Sequence, residues 1–337
     1  MSAPALGFFF WPWSPEYTVQ MAALGERLGW DLVGIADTPG NAMDPWVALT
    51  LAATRTERVG LALCVTNLAT RHPAITAGAA ASADAVSGGR VILGLGTGHS
   101  GVVNIGAAAA PVADFEEGLR FTRTLLSGDP ALLGGKEARL ATPRRRVPVY
   151  AAASGPGALR AAGAAADGVF VNYGLGPEHV ARARALIAEG AARTGRRPDE
   201  IDVWWIACLD CDERRETAYD KLGNILGFVA AYVLAPAPAA RGVPPELIPA
   251  IHELRAAYTT RHADMDPRLL KRLGLFDYLR RRLAIAGTPE DCLDQVRAAF
   301  SAGATRLMFT VSLASDPLRT VELFGSRVLP AARDAAR

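Results

Sequence analysis

The sequence predicts an eight-stranded α/β barrel, the TIM-barrel fold, with helical insertions. Short apolar runs alternate with helical patterns along almost the whole chain, which is typical of βα units and a parallel sheet. Eight runs are strand candidates, at residues 6–10, 32–36, 59–65, 91–95, 148–152, 168–171, 203–209 and 306–311. Nearly every candidate is followed by a polar or aromatic residue, and a barrel gathers such groups at the carboxyl ends of its strands.

A doubly wound open sheet is the main structural alternative, because alternation alone does not distinguish a closed sheet from an open one. An open sheet usually concentrates its polar groups near one switch point. Here they follow strands all along the chain, as with Asp37, Asn67 and Ser154, which favours the barrel. We interpret residues 1–337 as a single domain with insertions at about 97–146 and 210–286.

Composition and charge indicate a globular enzyme that acts on a small molecule. Half of the residues are hydrophobic, 21% are charged and the formal net charge is +2. Such a balance creates no broad positive field, so nucleic acid and anionic membrane are poor partner predictions. Four cysteines form no dense disulfide framework, and no signal peptide or membrane span is recognisable. We expect a cytoplasmic protein with reduced thiols and no metal site.

Three helices have recognisable beginnings. Ser14 precedes Pro15, Asp44 precedes Pro45, and Thr288 begins the sequence Thr-Pro-Glu-Asp. A small polar residue before proline is typical of the N-cap and first position of a helix. Asp44 is therefore interpreted as a cap, whereas Asp37, just past the second strand, is kept as a candidate catalytic acid.

The glycine-rich segment 94–101 follows the fourth strand and contains a formal G-x-G-x-x-G from Gly96. A dinucleotide fingerprint opens directly into a helix, but here the next helical pattern begins only near Val112. A plain tight turn and a backbone that approaches a flat ring or phosphate both remain open. His99 is a candidate catalytic residue, because an imidazole exchanges protons near neutral pH; a solvated loop histidine is the alternative.

Two further strand ends carry candidate binding groups. Ser154, Gly155 and Gly157 open an alanine-rich helix, whose free N–H groups and dipole favour an anion; an ordinary capped turn is the alternative. Thr66 and Asn67 are neutral hydrogen-bonding groups suited to the edge of a heterocycle, although Asn67 also suits a structural turn.

The next helix begins with Arg71 and His72. Arg71 suits an anionic cofactor tail, and His72 is interpreted as a capping or buried structural residue.

Several of these segments together resemble the bacterial-luciferase-like monooxygenase and deazaflavin-dependent oxidoreductase superfamily. The resemblance covers most of the chain and is carried by Thr66-Asn67, by Thr70-Arg-His-Pro73, by the segment from Ser87 to Gly98, and by Ala151-Ala-Ala-Ser-Gly-Pro156. Within it, the sequence is most similar to the branch that resembles methylenetetrahydromethanopterin reductase, which uses the deazaflavin coenzyme F420. The resemblance implies a barrel, usually a homodimer, that holds a tricyclic ring at the carboxyl face of the sheet.

The resemblance also implies a role for individual residues. The bond between Cys64 and Val65 matches a non-prolyl cis peptide that supports the ring. Thr66 and Asn67 would bind the ring edge, Gly96, Thr97 and Gly98 the ring or ribityl region, and Ser154, Gly155 and Gly157 the phosphate. Two positions depart from the pattern: His99 stands where relatives often have an acid, and Leu68 replaces a common proline.

We therefore expect an F420-dependent oxidoreductase that transfers a hydride between the cofactor and a small organic substrate, with His99 or Asp37 handling the proton. The cofactor carries the chemistry and the protein positions it. An FMN-dependent monooxygenase is the first alternative, because the same barrel accepts flavin. A barrel that binds the cofactor without turnover is the second. Trp11, Trp13, Tyr173 and the long insertion are expected to shape the substrate pocket.

Overall fold

A computed structural model describes residues 4–141, 145–258, 266 and 268–334. Its strands, numbered in chain order, are β1 (Ala5–Phe10), β2 (Leu32–Ile35), β3 (Gly60–Asn67), β4 (Val91–Gly96), β5 (Ala131–Leu133), β6 (Lys136–Ala138), β7 (Val149–Ala153), β8 (Gly168–Val171), β9 (Asp202–Cys211), β10 (Ala284–Gly287) and β11 (Arg306–Thr310). All eight predicted strands are present. The structure adds the short β5–β6 hairpin and β10.

The main sheet is a closed ring of parallel strands. Its order is β1-β2-β3-β4-β7-β8-β9-β11, and β11 pairs with β1, so the sheet has no open gap. Closure contradicts the doubly wound alternative and confirms the TIM barrel. The additional strand β10 pairs with the last four residues of β9.

The helices are α1 (Pro15–Leu28), α2 (Pro45–Thr54), α3 (Pro73–Ser87), α4 (Ser100–Val103), α5 (Val112–Leu126), α6 (Pro156–Ala165), α7 (Pro177–Ala192), α8 (Arg215–Asp220), α9 (Leu222–Val233), α10 (Ile248–Ala257), α11 (Leu269–Arg272), α12 (Phe276–Leu283), α13 (Pro289–Ser301), α14 (Pro317–Leu323) and α15 (Leu329–Asp334). A π-helical segment, Phe324–Val328, joins the last two. Short 3₁₀ turns occupy Pro198–Glu200, Ala239–Arg241 and Pro245–Leu247.

The predicted helix beginnings are confirmed by their caps. The Ser14 hydroxyl accepts a hydrogen bond from the Tyr17 N–H at 3.1 Å. Asp44 accepts from the N–H groups of Trp46 and Val47. Thr288 forms a reciprocal capping box with Asp291. These side chains satisfy N–H groups that a helix leaves without partners at its start.

The two predicted insertions differ in content. Residues 97–146 include the one-turn helix α4 and the β5–β6 hairpin, but α5 packs between α3 and α6 as an ordinary barrel helix does. Residues 210–286 contain α8 to α12 and all but the last residue of β10, and α9 packs against α10 and α12. The division into one domain with two insertions stays a prediction.

Side chains fill the middle of the barrel, and the cavity that the predicted site residues line lies towards its carboxyl end. The interior is packed by Cys64, Tyr150, Phe170, Met308 and their neighbours. Near the amino end, Tyr150 and Trp204 donate hydrogen bonds to the Asp202 carboxylate, which also pairs with Arg306. A separate apolar cluster packs α9 to α12 onto the opposite rim. The long insertion is thus placed above the strand ends.

Candidate active site

A cavity of about 420 Å³ lies where the carboxyl ends of the strands meet the long insertion. Asn67, Thr97 and Ser154, from the ends of three different strands, border it together. The predicted site residues in its wall are Asp37, Cys64, Val65, Thr66, Asn67, Gly96, Thr97, Gly98, His99 and Ser154. Most of the residues singled out along the sequence are therefore close together in space.

The end of β3 forms one side of the cavity. The peptide bond between Cys64 and Val65 is cis, as the resemblance implies, and the register between β3 and β4 shifts between Leu63 and Thr66. Complete burial raises the pKa of the Cys64 thiol well above its usual range. Cys64 is therefore a neutral thiol at physiological pH. Because only a thiolate is an effective nucleophile, Cys64 serves as a wall residue of the cavity.

Asp37 lies across from β3 and is bound to it. The Thr66 hydroxyl donates a hydrogen bond to Asp37 Oδ2 at 2.6 Å. Burial raises the pKa of Asp37, the hydrogen bond from Thr66 opposes that shift, and the charge of Asp44 adds to it. A buried carboxyl with a raised pKa retains a proton more readily than an exposed one, which suits proton transfer.

The Asn67 side chain hydrogen-bonds to the backbone and also borders the cavity. Its Oδ1 accepts hydrogen bonds from the N–H groups of Ala69 and Thr70, both at 2.9 Å. A Cβ on Gly101 would lie 3.2 Å from Asn67 Nδ2, so the amide also faces the start of α4. The structural turn that the sequence left open as the alternative is present at Asn67, and the residue also lines the cavity.

The glycine-rich segment after β4 brings backbone close to the cavity. Gly98 has a φ of 100°, in a region that favours glycine. A Cβ on Gly96 would approach Val65 Cγ2 to 3.1 Å. The Ser100 hydroxyl is hydrogen-bonded to that of Thr38 at 2.9 Å, which ties this segment to the end of β2. The segment leads into the single turn α4 rather than into the long helix of a dinucleotide fold.

His99 is enclosed by aromatic rings of the long insertion. Its ring stacks on Tyr232, with centroids 4.0 Å and planes 20° apart, and contacts Phe228 edge-on and Tyr258 at a tilt. Burial first, and then the positive charge of Arg255, lower the pKa of His99 to about 4. The imidazole is therefore neutral at pH 7 and stays neutral down to about pH 5, where an ordinary loop histidine is protonated.

Ser154 lies beside a guanidinium that the sequence analysis missed. Arg241 Nη1 donates to the carbonyl oxygen of Ser154 at 2.8 Å, to its hydroxyl at 3.1 Å, and to the carbonyl of Val233. Arg241 Nε is buried and has no hydrogen-bond partner among the described residues. Because α6 begins at Pro156, a cation and the positive end of a helix dipole adjoin at this end of the cavity.

The two predicted phosphate glycines lie behind this surface and outside the cavity wall. A Cβ on Gly155 would lie 2.8 Å from Arg241 Nη2, so this glycine leaves room for the guanidinium. A Cβ on Gly157 would lie 3.3 Å from Val112 Cγ2, at the contact with α5. Both glycines permit close packing around the start of α6.

Arg282 is a second residue that the sequence analysis missed. It is 3% exposed and donates to the carbonyl oxygens of Tyr173, Gly242 and Arg241, and to the Tyr278 hydroxyl. The buried cation thus joins β8, α12 and the backbone that carries Arg241. A run of three arginines at 280–282 in an otherwise amphipathic helix is the only sequence signal for it.

The remaining expectations for the cavity wall have mixed outcomes. Trp11 borders the cavity. Trp13 is 41% exposed and stacks on Tyr17, and Tyr173 is buried with its hydroxyl directed at the Ala240 carbonyl; neither lines the cavity.

The residues at the start of α3 have structural partners. Arg71 pairs with Asp44 at 2.6 Å, and His72 Nδ1 accepts the Ala74 N–H as the cap of α3. The structural interpretation of His72 is confirmed.

A family model described as luciferase-like monooxygenase matches residues 11–306. The chain belongs to this family. The match confirms the resemblance drawn from the sequence motifs and agrees with the closed barrel.

Individual relatives are similar over nearly their full length. The 5,10-methylenetetrahydromethanopterin reductase of Methanolobus tindarius is 29% identical, over 96% of this chain and 99% of the relative. An F420-dependent glucose-6-phosphate dehydrogenase of Nakamurella multipartita is also 29% identical, over 95% of this chain and 93% of the relative.

The solved structure of the coenzyme F420-dependent tetrahydromethanopterin reductase from Methanopyrus kandleri superposes with a TM-score of 0.79. It is 27% identical and covers 98% of this chain and 99% of the relative.

The described residues contain neither a cluster of metal ligands nor a helix that could span a membrane. No cluster of three or more metal-ligating side chains occurs in that part of the chain. None of its helices combines the length and the apolar character needed to cross a membrane. Cys208 and Cys211, spaced as C-x-x-C, are buried free thiols, as are Cys64 and Cys292.

Proposed function

We propose that the protein is an F420-dependent oxidoreductase that acts on a small organic substrate. The observation that carries the proposal is a single cavity that combines an anion-binding end, a neutral backbone-rich side and a buried carboxyl. Relatives with F420 in their names support the same cofactor. The homodimer expected from the resemblance stays a prediction.

The residues present fit a phosphorylated tricyclic cofactor. Arg241 Nε is buried and lacks a partner among the described residues, and the N-terminus of α6 lies beside it. An anion there would satisfy both, since helix starts and arginine each favour phosphate. Arg241 and Ser154 would hold the phosphate, and Val65, Thr66, Asn67 and Gly96 the ring.

When bound, F420 supplies or accepts the hydride. The protein residues around the cavity bind, orient and exclude water. Phe9, Trp11, Phe228 and Tyr232 supply apolar surface, and a dry site strengthens the electrostatic interactions inside it. Strand ends and helix starts are rigid supports, which keeps the positions of these groups fixed.

Asp37 is assigned the proton that accompanies hydride transfer. Its carboxyl has a raised pKa and is oriented by Thr66. His99 is neutral at pH 7 because its pKa is about 4, so it presents a flat ring and a hydrogen-bonding nitrogen rather than a charge. Of the two candidates, we therefore assign proton transfer to Asp37, and we assign positioning of the substrate to His99.

An FMN-dependent monooxygenase is the second candidate, favoured by the description of the matching family. The anion-binding end suits the phosphate of FMN as well as that of F420. The two functions differ in their need for oxygen, because a monooxygenase consumes it and a hydride-transferring reductase does not.

An anaerobic assay with reduced F420 and a panel of carbonyl, imine and enoate compounds tests the proposal. We expect substrate-dependent oxidation of F420 that continues without oxygen and falls by about a hundredfold in Asp37→Asn, the typical loss of a general acid. Oxygen consumption with reduced FMN, together with no F420 oxidation, would establish the monooxygenase instead. F420 binding with no turnover of any compound would favour the non-catalytic barrel.

A further inference from the structure

One charged residue of the cavity wall has no part in the proposed cofactor site. Arg255 lies on α10 and borders the cavity. Its guanidinium carbon is 5.4 Å from the centroid of the Tyr258 ring. No carboxylate within the described residues pairs with it, whereas Arg71 on the barrel side pairs with Asp44.

The charge of Arg255 acts on the side of the cavity that His99 occupies. It is the neighbouring charge that lowers the pKa of His99, and it also acts on Tyr258. Burial first lowers the pKa of Arg241, and the charges that act on it are those of Tyr173 and Arg282 instead. Arg241 and Arg255 are therefore two cationic positions with different surroundings, one beside Ser154 and one beside the aromatic rings.

The described cavity wall carries two arginines, of which Arg255 is exposed to solvent, and one carboxyl group. Asp37 is its one acidic wall residue within the described part of the chain, and it is bound to Thr66. A cofactor phosphate would neutralise Arg241 but would leave Arg255. A cation on an apolar wall without an acidic partner is a ready binding position for an anion.

Flat apolar surface adjoins this cation. His99, Tyr232, Phe228 and Tyr258 contact one another through their rings. The wall therefore offers ring faces next to a guanidinium, an arrangement suited to an organic acid with an unsaturated or planar body.

We propose that the substrate is a planar organic anion whose carboxylate or phosphate group binds Arg255 while its body packs against His99, Phe228 and Tyr232, which all line the cavity. The inference rests on the proposed function, because it assigns the substrate of that same cavity. An acidic cofactor tail has the same chemistry as an anionic substrate, so the test must separate the two.

The test measures binding of benzoate and of its neutral counterpart benzamide by calorimetry, to protein with and without F420. The wild-type protein is expected to bind benzoate about tenfold more tightly than benzamide, the scale of one charge-assisted contact. Arg255→Met is expected to reduce that preference to less than about twofold, and Arg255→Lys to retain part of it. Arg182→Met removes an exposed arginine of α7 outside the cavity and is expected to keep the full preference.

Three results would overturn the inference. Benzoate binds no more tightly than benzamide, or its advantage survives Arg255→Met, or Arg255→Met weakens F420 binding while the benzoate preference persists. The last result would assign the cation to the cofactor tail. If wild-type protein does not bind F420, the proposed function fails, but the titrations without cofactor still decide the role of Arg255.

Discussion

The two walls of the cavity are built in different ways. The barrel wall consists of strand ends whose polar groups are fixed by bonds within one strand end, such as those of Asn67, or between neighbouring strand ends, such as that from Thr66 to Asp37. The insertion wall consists of aromatic rings and arginines from α9, from α10 and from the 3₁₀ turn Ala239–Arg241 between them. It is joined to the barrel through long-range bonds such as that of Arg241 to Ser154.

The two walls suit two different tasks, binding the cofactor and selecting the substrate. A closed sheet keeps the strand ends in place, so the barrel wall suits the constant part of the chemistry, the cofactor. The insertion wall depends on the buried Arg282 and the half-buried Arg241, and its residues determine what fits beside the cofactor. The following predictions test that separation.

Arg282→Met should have the largest effect, because it removes the donor that ties the insertion to β8. Carbonyl oxygens of Tyr173, Arg241 and Gly242 would lose their partner in a buried place. We expect the free energy of unfolding in urea to fall by about 3 kcal/mol and F420 binding to weaken with it. Arg281→Met, an exposed neighbour, is the matched control; equal losses in both variants would contradict the prediction.

His99→Phe should change how stability depends on pH. The pKa of His99 is about 4 in the folded protein and 6.5 ordinarily. Between these two pH values, His99 is protonated in the unfolded chain and neutral in the folded protein. Stability from this residue is complete above about pH 6.5 and is lost as the pH falls towards 4.

Between about pH 7 and pH 5, wild type should lose about 2 kcal/mol more than His99→Phe. Phenylalanine keeps the stack on Tyr232 and cannot be protonated. Parallel pH profiles of the two proteins in urea unfolding would show that His99 is not held neutral by burial.

Gly155→Ala should weaken anion binding at the start of α6 without disturbing the barrel. The added methyl group would lie 2.8 Å from Arg241 Nη2 and displace it. We expect about a tenfold loss of F420 affinity, or about 1.4 kcal/mol, measured by fluorescence titration. Gly78→Ala makes the same change where the nearest atom is 3.8 Å away and should leave affinity unchanged; no difference between these variants would remove Arg241 from the phosphate site.

Arg71→Met should have the smallest effect. Arg71 forms a surface pair with Asp44, and such pairs contribute less than about 1 kcal/mol. F420 affinity should change by less than about twofold. A tenfold loss would revive the interpretation of Arg71 as a ligand of the anionic cofactor tail.

The same division explains how much the sequence predicted. The barrel strands follow from local apolar runs, and the polar residues at their ends lie together because parallel strands end on one side. Arg241 was not predictable, because its contact with Ser154 spans 87 residues and no local pattern marks it. His99 lies in the cavity wall, and its assignment as a site residue stays a prediction; its neutral state depends on burial and on the charge of Arg255 from the insertion.

Short elements were missed for a related reason. The strand β10 has four residues and directly follows α12, so it reads as the end of a helical pattern. The one-turn helix α4 is too short to show a periodicity.

Fluorescence titration of the purified protein with F420 and, separately, with FMN is the most direct test of the assigned cofactor site. We expect saturable F420 binding that Gly155→Ala weakens and Gly78→Ala does not. Tight FMN binding with no binding of F420 would contradict this assignment.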